Sequence, residues 1–238
     1  MNKFQDTLVV IPARGKSKRI PKKNIKKICG KPMISWPIIE LKKIFRTSQI
    51  LVSTEDKNIK FVVKKFGIDT KYTRPKNLSG DKVGIIETVK HATNWYEKNF
   101  KKVNNVLIVY PTAVFLNIKK IKLAFQILYK DKRCNAVFAA MNYGHPIQRA
   151  FYQKQDNYIK MFNSKNFKMR SQDTTNHMHD AAQFSFCKKK AIDKRMNLMN
   201  AFSKVIKIPR YSAVDIDNLE DFKLAEILMK LNKICKKN

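Results

Sequence analysis

The chain has 238 residues, with 50 lysines and arginines against 18 aspartates and glutamates, so its formal net charge is +32. This length suits one hydrophobic core and is short for two, so a single domain over residues 1–238 is expected. No apolar stretch approaches the roughly 20 residues of a membrane span, and the apolar run near the N-terminus does not resemble a signal peptide. A cytoplasmic protein with no membrane partner is therefore expected.

The high charge first suggests a nucleic-acid or anionic-surface binder, because clustered lysine and arginine release counterions from a polyanion. Here the lysines are spread over almost every segment, and no zinc-finger, RRM or helix-turn-helix spacing accompanies them. This distribution is typical of a solvated lysine-rich surface and argues against nucleic acid as a partner. A basic surface-binding protein stays open as the alternative from another functional class.

Short β-rich runs alternate with longer helical ones over the first 141 residues. Strands are predicted at residues 7–12, 49–54, 104–111 and 134–141, and helices at residues 31–45, 56–67, 84–100 and 117–131. Apolar strands separated by helices indicate an α/β fold with a mostly parallel sheet and helices on both faces. Gly67 and Asn117 are expected to end and begin helices, respectively.

The alternation breaks over residues 142–182, a polar, aromatic-bearing insertion that is called the arm below. An insertion of this length usually serves function or binds a partner. The chain then returns to strands at residues 183–187 and 204–209, with helices at residues 188–200 and from Leu219 to about Cys235.

A basic loop follows the first strand, within VVIPARGKSKRIPKKNI at residues 9–25. In open α/β sheets this position commonly holds phosphate. The loop matches neither GxxxxGK[ST] nor GxGxxG, because it contains a single glycine, so backbone amides alone would not suffice. Gly15 and Ser17 would allow close approach and a hydroxyl donor, and side-chain charge would come from Arg14, Lys18, Arg19, Lys22 and Lys23. Spacing alone leaves a solvated basic loop as the alternative.

A carboxylate pair lies far downstream, in VDIDNLEDF at residues 214–222. In an extended segment Asp215 and Asp217 would face one side, where they can share a hard cation such as Mg²⁺. Glu220 and Asp221 then suit the N-terminal dipole of the last helix. A basic phosphate loop together with a magnesium-binding pair indicates nucleotidyl or phosphoryl transfer.

The basic loop, IPARGKSKRIPKKNI, resembles the signature of the CMP-sugar synthetases, cytidylyltransferases that activate sialic-acid-like and related 3-deoxy-2-ulosonic acids. Further motifs follow in the family's order over nearly the whole chain: VSTED at 52–56, TRPKNLSGD at 73–81, YPTAVFL at 110–116 and VDIDNLEDF at 214–222. The resemblance implies a Rossmann-like nucleotidyltransferase fold and a homodimer formed through the arm.

Within this family, the KKN at residues 22–24 resembles the nonulosonate branch more than the Kdo branch. HPIQRAF at 145–151 and RSQDTTNHMHDAAQF at 170–184 look like the pseudaminic acid cytidylyltransferases. The implied reaction converts CTP and pseudaminate to CMP-pseudaminate and pyrophosphate. Synthetases for legionaminic, N-acetylneuraminic or Kdo acids are the alternatives within the family.

The resemblance also implies roles for individual residues. Arg14, Lys23, Asp215 and Asp217 are expected to be catalytic, with the two aspartates holding Mg²⁺. CTP contacts are expected from Arg14, Gly15, Ser17, Lys18, Lys23, Asn24, Arg74, Ser79 and Asp81. Sugar contacts are expected from Tyr110, Thr112, Gln148, Arg149, Arg170, Gln172, Asp180 and Gln183, and Arg149 or Arg170 would pair with the sugar carboxylate.

Four features depart from the family pattern without removing a charged catalytic group. Lys16 replaces a second glycine of the signature, Val114 replaces a proline, and Ala182 replaces a glycine. FSFC at residues 184–187 stands where an aromatic FYWG-like run is common. The activity is still expected with these departures.

Overall fold

The computed structural model describes residues 4–199 and 202–232. In this part of the chain the strands are β1 (Thr7–Pro12), β2 (Lys27–Ile28), β3 (Lys31–Pro32), β4 (Ile50–Ser53), β5 (Asn105–Val109), β6 (Ala136–Asn142), β7 (Phe151–Gln153), β8 (Ile159–Met161), β9 (Met178–Lys188) and β10 (Ser203–Lys207). The α-helices are α1 (Ser35–Leu41), α2 (Lys57–Lys64), α3 (Ile85–Asn99), α4 (Ile118–Lys130), α5 (Lys189–Asp193) and α6 (Leu219–Leu231).

A six-stranded sheet organises these elements in the order β10, β6, β9, β5, β1, β4. The pairs β1–β4, β1–β5 and β6–β10 are parallel. Strand β9 runs antiparallel to both of its neighbours, β5 and β6. The predicted mostly parallel sheet is confirmed, and the loops that follow its parallel strands reach one common edge.

Alternating side chains of β1 enter two different cores. Val9 and Ile11 are fully buried in a core shared with α1, α2 and α4, whereas Leu8 and Val10 are fully buried in a core shared with α3. This division follows from the two-residue period of a strand. Helices therefore cover both faces of the sheet, which explains why β1 is a continuous apolar run.

A third core lies beneath α6 and holds the loops around the common edge of the sheet. Ile20 of the basic loop, Val114 and Ile216 pack there with Phe222 and Met229 of α6. The last helix thus fixes loops that are nearly 200 residues apart in sequence.

The predicted helix boundaries with polar or glycine signals are confirmed. The Asn117 side chain accepts a hydrogen bond from the Lys119 amide at the start of α4. Gly67 follows α2 with a φ of +78°, the left-handed conformation that glycine favours. Asn218 and Asp221 form a capping box at the start of α6.

The helix predicted over residues 31–45 is wrong at both ends. Strand β3 occupies the first two of these residues and forms a short hairpin with β2. The helix begins only at Ser35. Cys29 and Gly30 have φ values of +46° and +78°, which build the tight turn between the two strands. The apolar period of the segment gives no sign of this turn.

The helix predicted over residues 188–200 is much shorter, because β9 continues to Lys188 and only Lys189–Asp193 is helical. Arg195 has a φ of +51°, which is incompatible with continuing the helix. Residue 200 and Cys235, the expected end of the last helix, lie outside the described residues. No helix in the described ranges is long and apolar enough to cross a bilayer.

Within the predicted arm, β6 extends through Asn142 and β9 begins at Met178. Residues 143–177 contain the hairpin β7–β8 and short 3-10 turns, and most of their side chains are exposed. Both ends of the arm lie in neighbouring strands, since β6 and β9 pair with each other.

Candidate active site

A cleft of about 430 Å³ lies at the carboxyl ends of the parallel strands. Its lining residues come from the loops after β1 and β5, from the segment between α2 and α3, from β9 and from the segment between β10 and α6. Ten of the predicted site residues line it: Arg14, Lys23, Asn24, Arg74, Asp81, Tyr110, Thr112, Asp180, Asp215 and Asp217. A larger cavity of about 530 Å³, near Asn104 and Tyr129, contains none of the predicted residues.

The basic loop is fixed by backbone contacts as well as by charge. The buried Asn24 side chain donates a hydrogen bond to the Arg14 carbonyl oxygen at 2.8 Å. The Gly15 amide donates to the Glu55 carboxylate at 2.7 Å. A Cβ atom on Gly15 would lie 2.4 Å from Oδ2 of Asp56, so the loop can approach the start of α2 this closely only with glycine.

Arg14 and Lys18 share one carboxylate, that of Asp81. Nη1 of Arg14 lies 2.5 Å from Oδ1 of Asp81, and Nζ of Lys18 lies 2.7 Å from Oδ2. The hydrogen bond and charge of Lys18, followed by those of Arg14, lower the pKa of Asp81. Asp81 therefore lies against the basic loop.

Lys23 and Arg19 share the carboxylate of Asp217, at 3.2 and 2.9 Å. Lys23 also donates to the Ile216 carbonyl oxygen at 2.7 Å, which ties the basic loop to the downstream segment. Burial alone would raise the pKa of Asp217, but the two cations outweigh this effect and lower it. Partial desolvation in the cleft, followed by the negative charge of Asp217, raises the pKa of Asp215.

This geometry confirms that Asp215 and Asp217 face the same space, although the segment is a loop rather than a strand. Ile216 between them is fully buried, which turns the two neighbouring side chains towards the cleft. No group of three or more histidine, cysteine or acidic side chains in the described ranges is arranged to hold a metal ion.

Arg74 is only 5% exposed, although it carries a full charge. Its guanidinium donates to the side chain and the carbonyl oxygen of Ser53 at the end of β4. Burial lowers the pKa of Arg74, and the negative charge of Glu55 opposes this effect. The Ser79 hydroxyl donates to the same Glu55 carboxylate at 3.2 Å.

Glu55 thus joins two predicted site segments, the basic loop and residues 73–81, although it is not among the predicted site residues. It lies two residues after β4 within VSTED, and this position near the carboxyl end of a strand is the available signal.

Tyr110 and Asp180 form the opposite wall of the cleft. The Tyr110 hydroxyl donates to Oδ2 of Asp180 at 3.3 Å, and the Ala182 amide donates to Oδ1 at 2.8 Å. Burial is the largest factor that raises the pKa of Asp180, and burial together with Asp180 raises the pKa of Tyr110. Both side chains also border an apolar recess of about 220 Å³, whose walls include Ile85 and Phe138.

The departures from the family pattern have different structural settings. Ala182 has a φ of +48°, where glycine is favoured, and it lies in a β-bulge of β9 against β6. Val114 is buried in the core beneath α6, so the residue in place of the family's proline contributes to packing there. Lys16 is exposed and its backbone φ is not positive, so a residue other than glycine is accommodated at this position.

The remaining predicted residues do not line the cleft. Ser17 and Lys18 lie in the basic loop beside it, and the buried Gln183 side chain donates to the Ser212 carbonyl oxygen. The structure places the other sugar-binding candidates in the arm: Gln148, Arg149, Arg170 and Gln172. Gln148 and Arg149 bond to other arm residues there, to the Thr175 carbonyl oxygen and the Ser171 hydroxyl.

Replacement of Gly15 by alanine should displace the basic loop, because the added Cβ would overlap the Asp56 carboxylate. Overpacking of this kind typically costs about 1–3 kcal/mol, so we expect roughly tenfold or greater weakening of polyphosphate binding. Titration calorimetry with pyrophosphate measures the effect. Gly84→Ala is the matched control, since a Cβ there meets nothing within 4 Å. Equal affinities of the two variants would contradict the steric role of Gly15.

Known proteins are similar to this chain over nearly its whole length. A family model described as cytidylyltransferase matches residues 8–234. Pseudaminic acid cytidylyltransferase of Campylobacter jejuni subsp. jejuni serotype O:2 is 36% identical over 225 residues, which cover 94% of this chain and 97% of that protein. CMP-N,N'-diacetyllegionaminic acid synthase of Legionella pneumophila is 25% identical over 226 residues, covering 95% and 97%.

A solved structure of CMP:2-keto-3-deoxy-manno-octonic acid synthetase complexed with CTP has the same fold. The TM-score is 0.68 at 14% identity, and the match covers 96% of this chain and all of that one. The Rossmann-like fold expected from the sequence is confirmed by this likeness. On the family match and the extended identity to a curated relative, the chain belongs to the cytidylyltransferase family.

Proposed function

We propose that the chain transfers the cytidylyl group of CTP to a nonulosonic acid, pseudaminic acid in the first place, with release of pyrophosphate. The observation that carries this proposal is the cleft in which Lys23 of the basic loop meets Asp217 of the carboxylate pair. The full-length similarity to a pseudaminic acid cytidylyltransferase supports the choice of acid. The lower identity to the legionaminic acid enzyme makes that acid the first alternative. CTP is a cytoplasmic nucleotide, so we propose the cytoplasm as the site of the reaction.

In this reaction a hydroxyl oxygen of the acid attacks the α-phosphorus of CTP in line. A new bond forms between this oxygen and the α-phosphorus. The bond between the α-phosphorus and the oxygen that leads to the β-phosphate breaks, and the hydroxyl group loses its proton. The role of the protein is to position the reactants and neutralise charge. Arg14, Lys18 and Lys23 would neutralise the departing pyrophosphate, while Gly15, Ser17 and Asn24 shape the loop around the triphosphate. Arg74 and Ser79 would border the nucleoside, and Asp81 lies at the phosphate end.

The carboxylate pair fits a magnesium ion. Mg²⁺ usually takes one or two carboxylates and completes its octahedron with water and substrate phosphates, so a pair without further protein ligands is sufficient. The negative charge of Asp217 contributes to the raised pKa of Asp215, so a cation between the two carboxylates would relieve this repulsion. Asp215 and Asp217 would hold the ion, whose positive charge would offset the negative charge that develops during transfer.

The acid would lie against Tyr110, Thr112 and Asp180, which line the cleft beyond the carboxylate pair. The four sugar-binding candidates of the arm do not reach this cleft within one chain. We propose that the chain forms a homodimer through the arm, and that Arg149 or Arg170 of one subunit approaches the acid in the other. The support is the exposure of apolar arm side chains, which include Phe151 at 62%, Tyr158 at 73%, Phe162 at 81% and Phe167 at 71%.

The central test measures pyrophosphate released from CTP with pseudaminic, legionaminic, N-acetylneuraminic and Kdo acids. Pseudaminic acid should give the highest kcat/KM. A higher value for another acid would correct the substrate and keep the reaction class. Absence of turnover with every acid, together with steeply salt-dependent RNA or duplex binding, would favour the basic surface-binding alternative.

Replacement of Asp217 by asparagine should lower kcat on the order of a hundredfold, as expected when a group that stabilises transition-state charge is removed. It should also weaken Mn²⁺ binding, measured by electron paramagnetic resonance in the presence of CTP. Asp69→Asn is the matched control, since this acid pairs only with nearby Lys71 and lies outside the cleft. Normal turnover and normal Mn²⁺ affinity of Asp217→Asn would contradict the metal role.

Phe162→Asp should convert the proposed dimer to a monomer, because it introduces a charge into an apolar contact surface. Analytical ultracentrifugation measures the mass, and CTP binding should be retained because the nucleotide end lies in the core. Phe61→Asp, at a 64% exposed position on α2, is the control. A monomeric parent chain, or a dimer that survives the arm substitution, would refute this assembly.

A further inference from the structure

Four cations of the basic loop already form ion pairs with two carboxylates within the protein. Asp81 pairs with Arg14 and Lys18, and Asp217 pairs with Arg19 and Lys23. Two carboxylates from distant segments therefore pair with side chains that the proposed function assigns to phosphate binding. Asp217 has a second use in that proposal, because it is expected to hold a metal. Asp81 has no such second use.

The geometry of Asp81 resembles that of a bound phosphate. Its two oxygens are divided between the two cations, with Oδ1 on Arg14 at 2.5 Å and Oδ2 on Lys18 at 2.7 Å. Two non-bridging oxygens of a phosphate would satisfy the same pair of donors. Arg14 lines the cleft directly, so its guanidinium is where an incoming phosphate would be expected.

The position of Asp81 in the chain would allow its side chain to move away from Arg14 and Lys18. It lies between Gly80 and Gly84, after the 3-10 turn Lys76–Leu78, and its side chain is about half exposed. A Cβ on Gly84 would meet nothing within 4 Å, so this side of the backbone faces open space. Exposed ion pairs are individually weak and are screened by salt, so a triphosphate with several charges can displace a single carboxylate.

We infer that Asp81 is an internal counter-ion that holds Arg14 and Lys18 in position in the free protein and is displaced by the triphosphate of CTP. This inference rests on the proposed function. It makes Asp81 a positioning residue that competes with the substrate, rather than a residue that contacts the ribose.

The two roles predict opposite effects. If Asp81 contacted the nucleoside, its removal would weaken the binding of CTP and of CMP. If it competes with phosphate, its removal should strengthen the binding of CTP and pyrophosphate and leave CMP almost unchanged, because CMP carries a single phosphate that need not reach this end of the loop.

The experiment compares Asp81→Asn with the parent chain and with Asp69→Asn by titration calorimetry, using CTP, pyrophosphate and CMP. Both variants remove one negative charge, so Asp69→Asn reports the effect of net charge alone. Asp81→Asn should bind CTP and pyrophosphate about three- to tenfold more tightly than Asp69→Asn, in line with the loss of two competing exposed ion pairs. The difference should shrink when the salt concentration is raised from about 0.05 to about 0.5 M.

Unchanged or weaker binding of CTP and pyrophosphate by Asp81→Asn would overturn the inference, as would a loss of CMP binding. Melting temperatures of the three proteins verify that each is folded, which is expected for substitutions at exposed positions. If pyrophosphate binds more tightly to Asp81→Asn but the parent chain transfers no cytidylyl group to any acid, the counter-ion role is supported and the proposed function fails. If transfer occurs without the gain in affinity, only the counter-ion role fails.

Discussion

The site depends on the balance between the positive basic loop and the carboxylates that face it. Arg14, Lys18, Arg19 and Lys23 lie within ten residues of one another, and four like charges on one short loop would repel and spread it. Asp81 and Asp217 hold these side chains together from opposite sides. The four side chains are therefore already held near one another before a substrate binds. Binding then costs less side-chain entropy than it would if they were disordered.

The sheet makes this balance possible, because its parallel strands end at one edge and bring distant segments together there. The exception to the parallel order is equally necessary. Strand β9 is antiparallel to its neighbours, so the residues at its N-terminal end, rather than those at its C-terminal end, lie at the same edge of the sheet. The bulge at Ala182 then turns Asp180 towards Tyr110. A regular strand would alternate side chains strictly between the two faces, whereas the bulge re-aims one carboxylate into the cleft.

Local signals in the sequence were sufficient for the elements that depend on neighbouring residues. The apolar run of β1, the cap at Asn117 and the glycine at Gly67 are examples, and the buried Ile216 explains why the spacing of Asp215 and Asp217 predicted a shared side. The direction of β9 and the partner of Asp81 depend on the path of the chain between them. The contact between Asp81 and Arg14 spans 67 residues, and no local pattern specifies it. Family resemblance named Asp81 as a CTP contact and gave no sign of its pairing with Arg14.

The separation of the candidate residues between core and arm has a physical consequence for specificity. The groups near the basic loop are positioned by the sheet, by α6 and by ion pairs. Gln148 and Arg149 instead form hydrogen bonds within an exposed segment, in which Arg170 and Gln172 also lie. Under the proposed function, substitutions in the arm would therefore change which acid is accepted and leave the groups around CTP in place, because the hydrogen bonds of Gln148 and Arg149 are made within the arm.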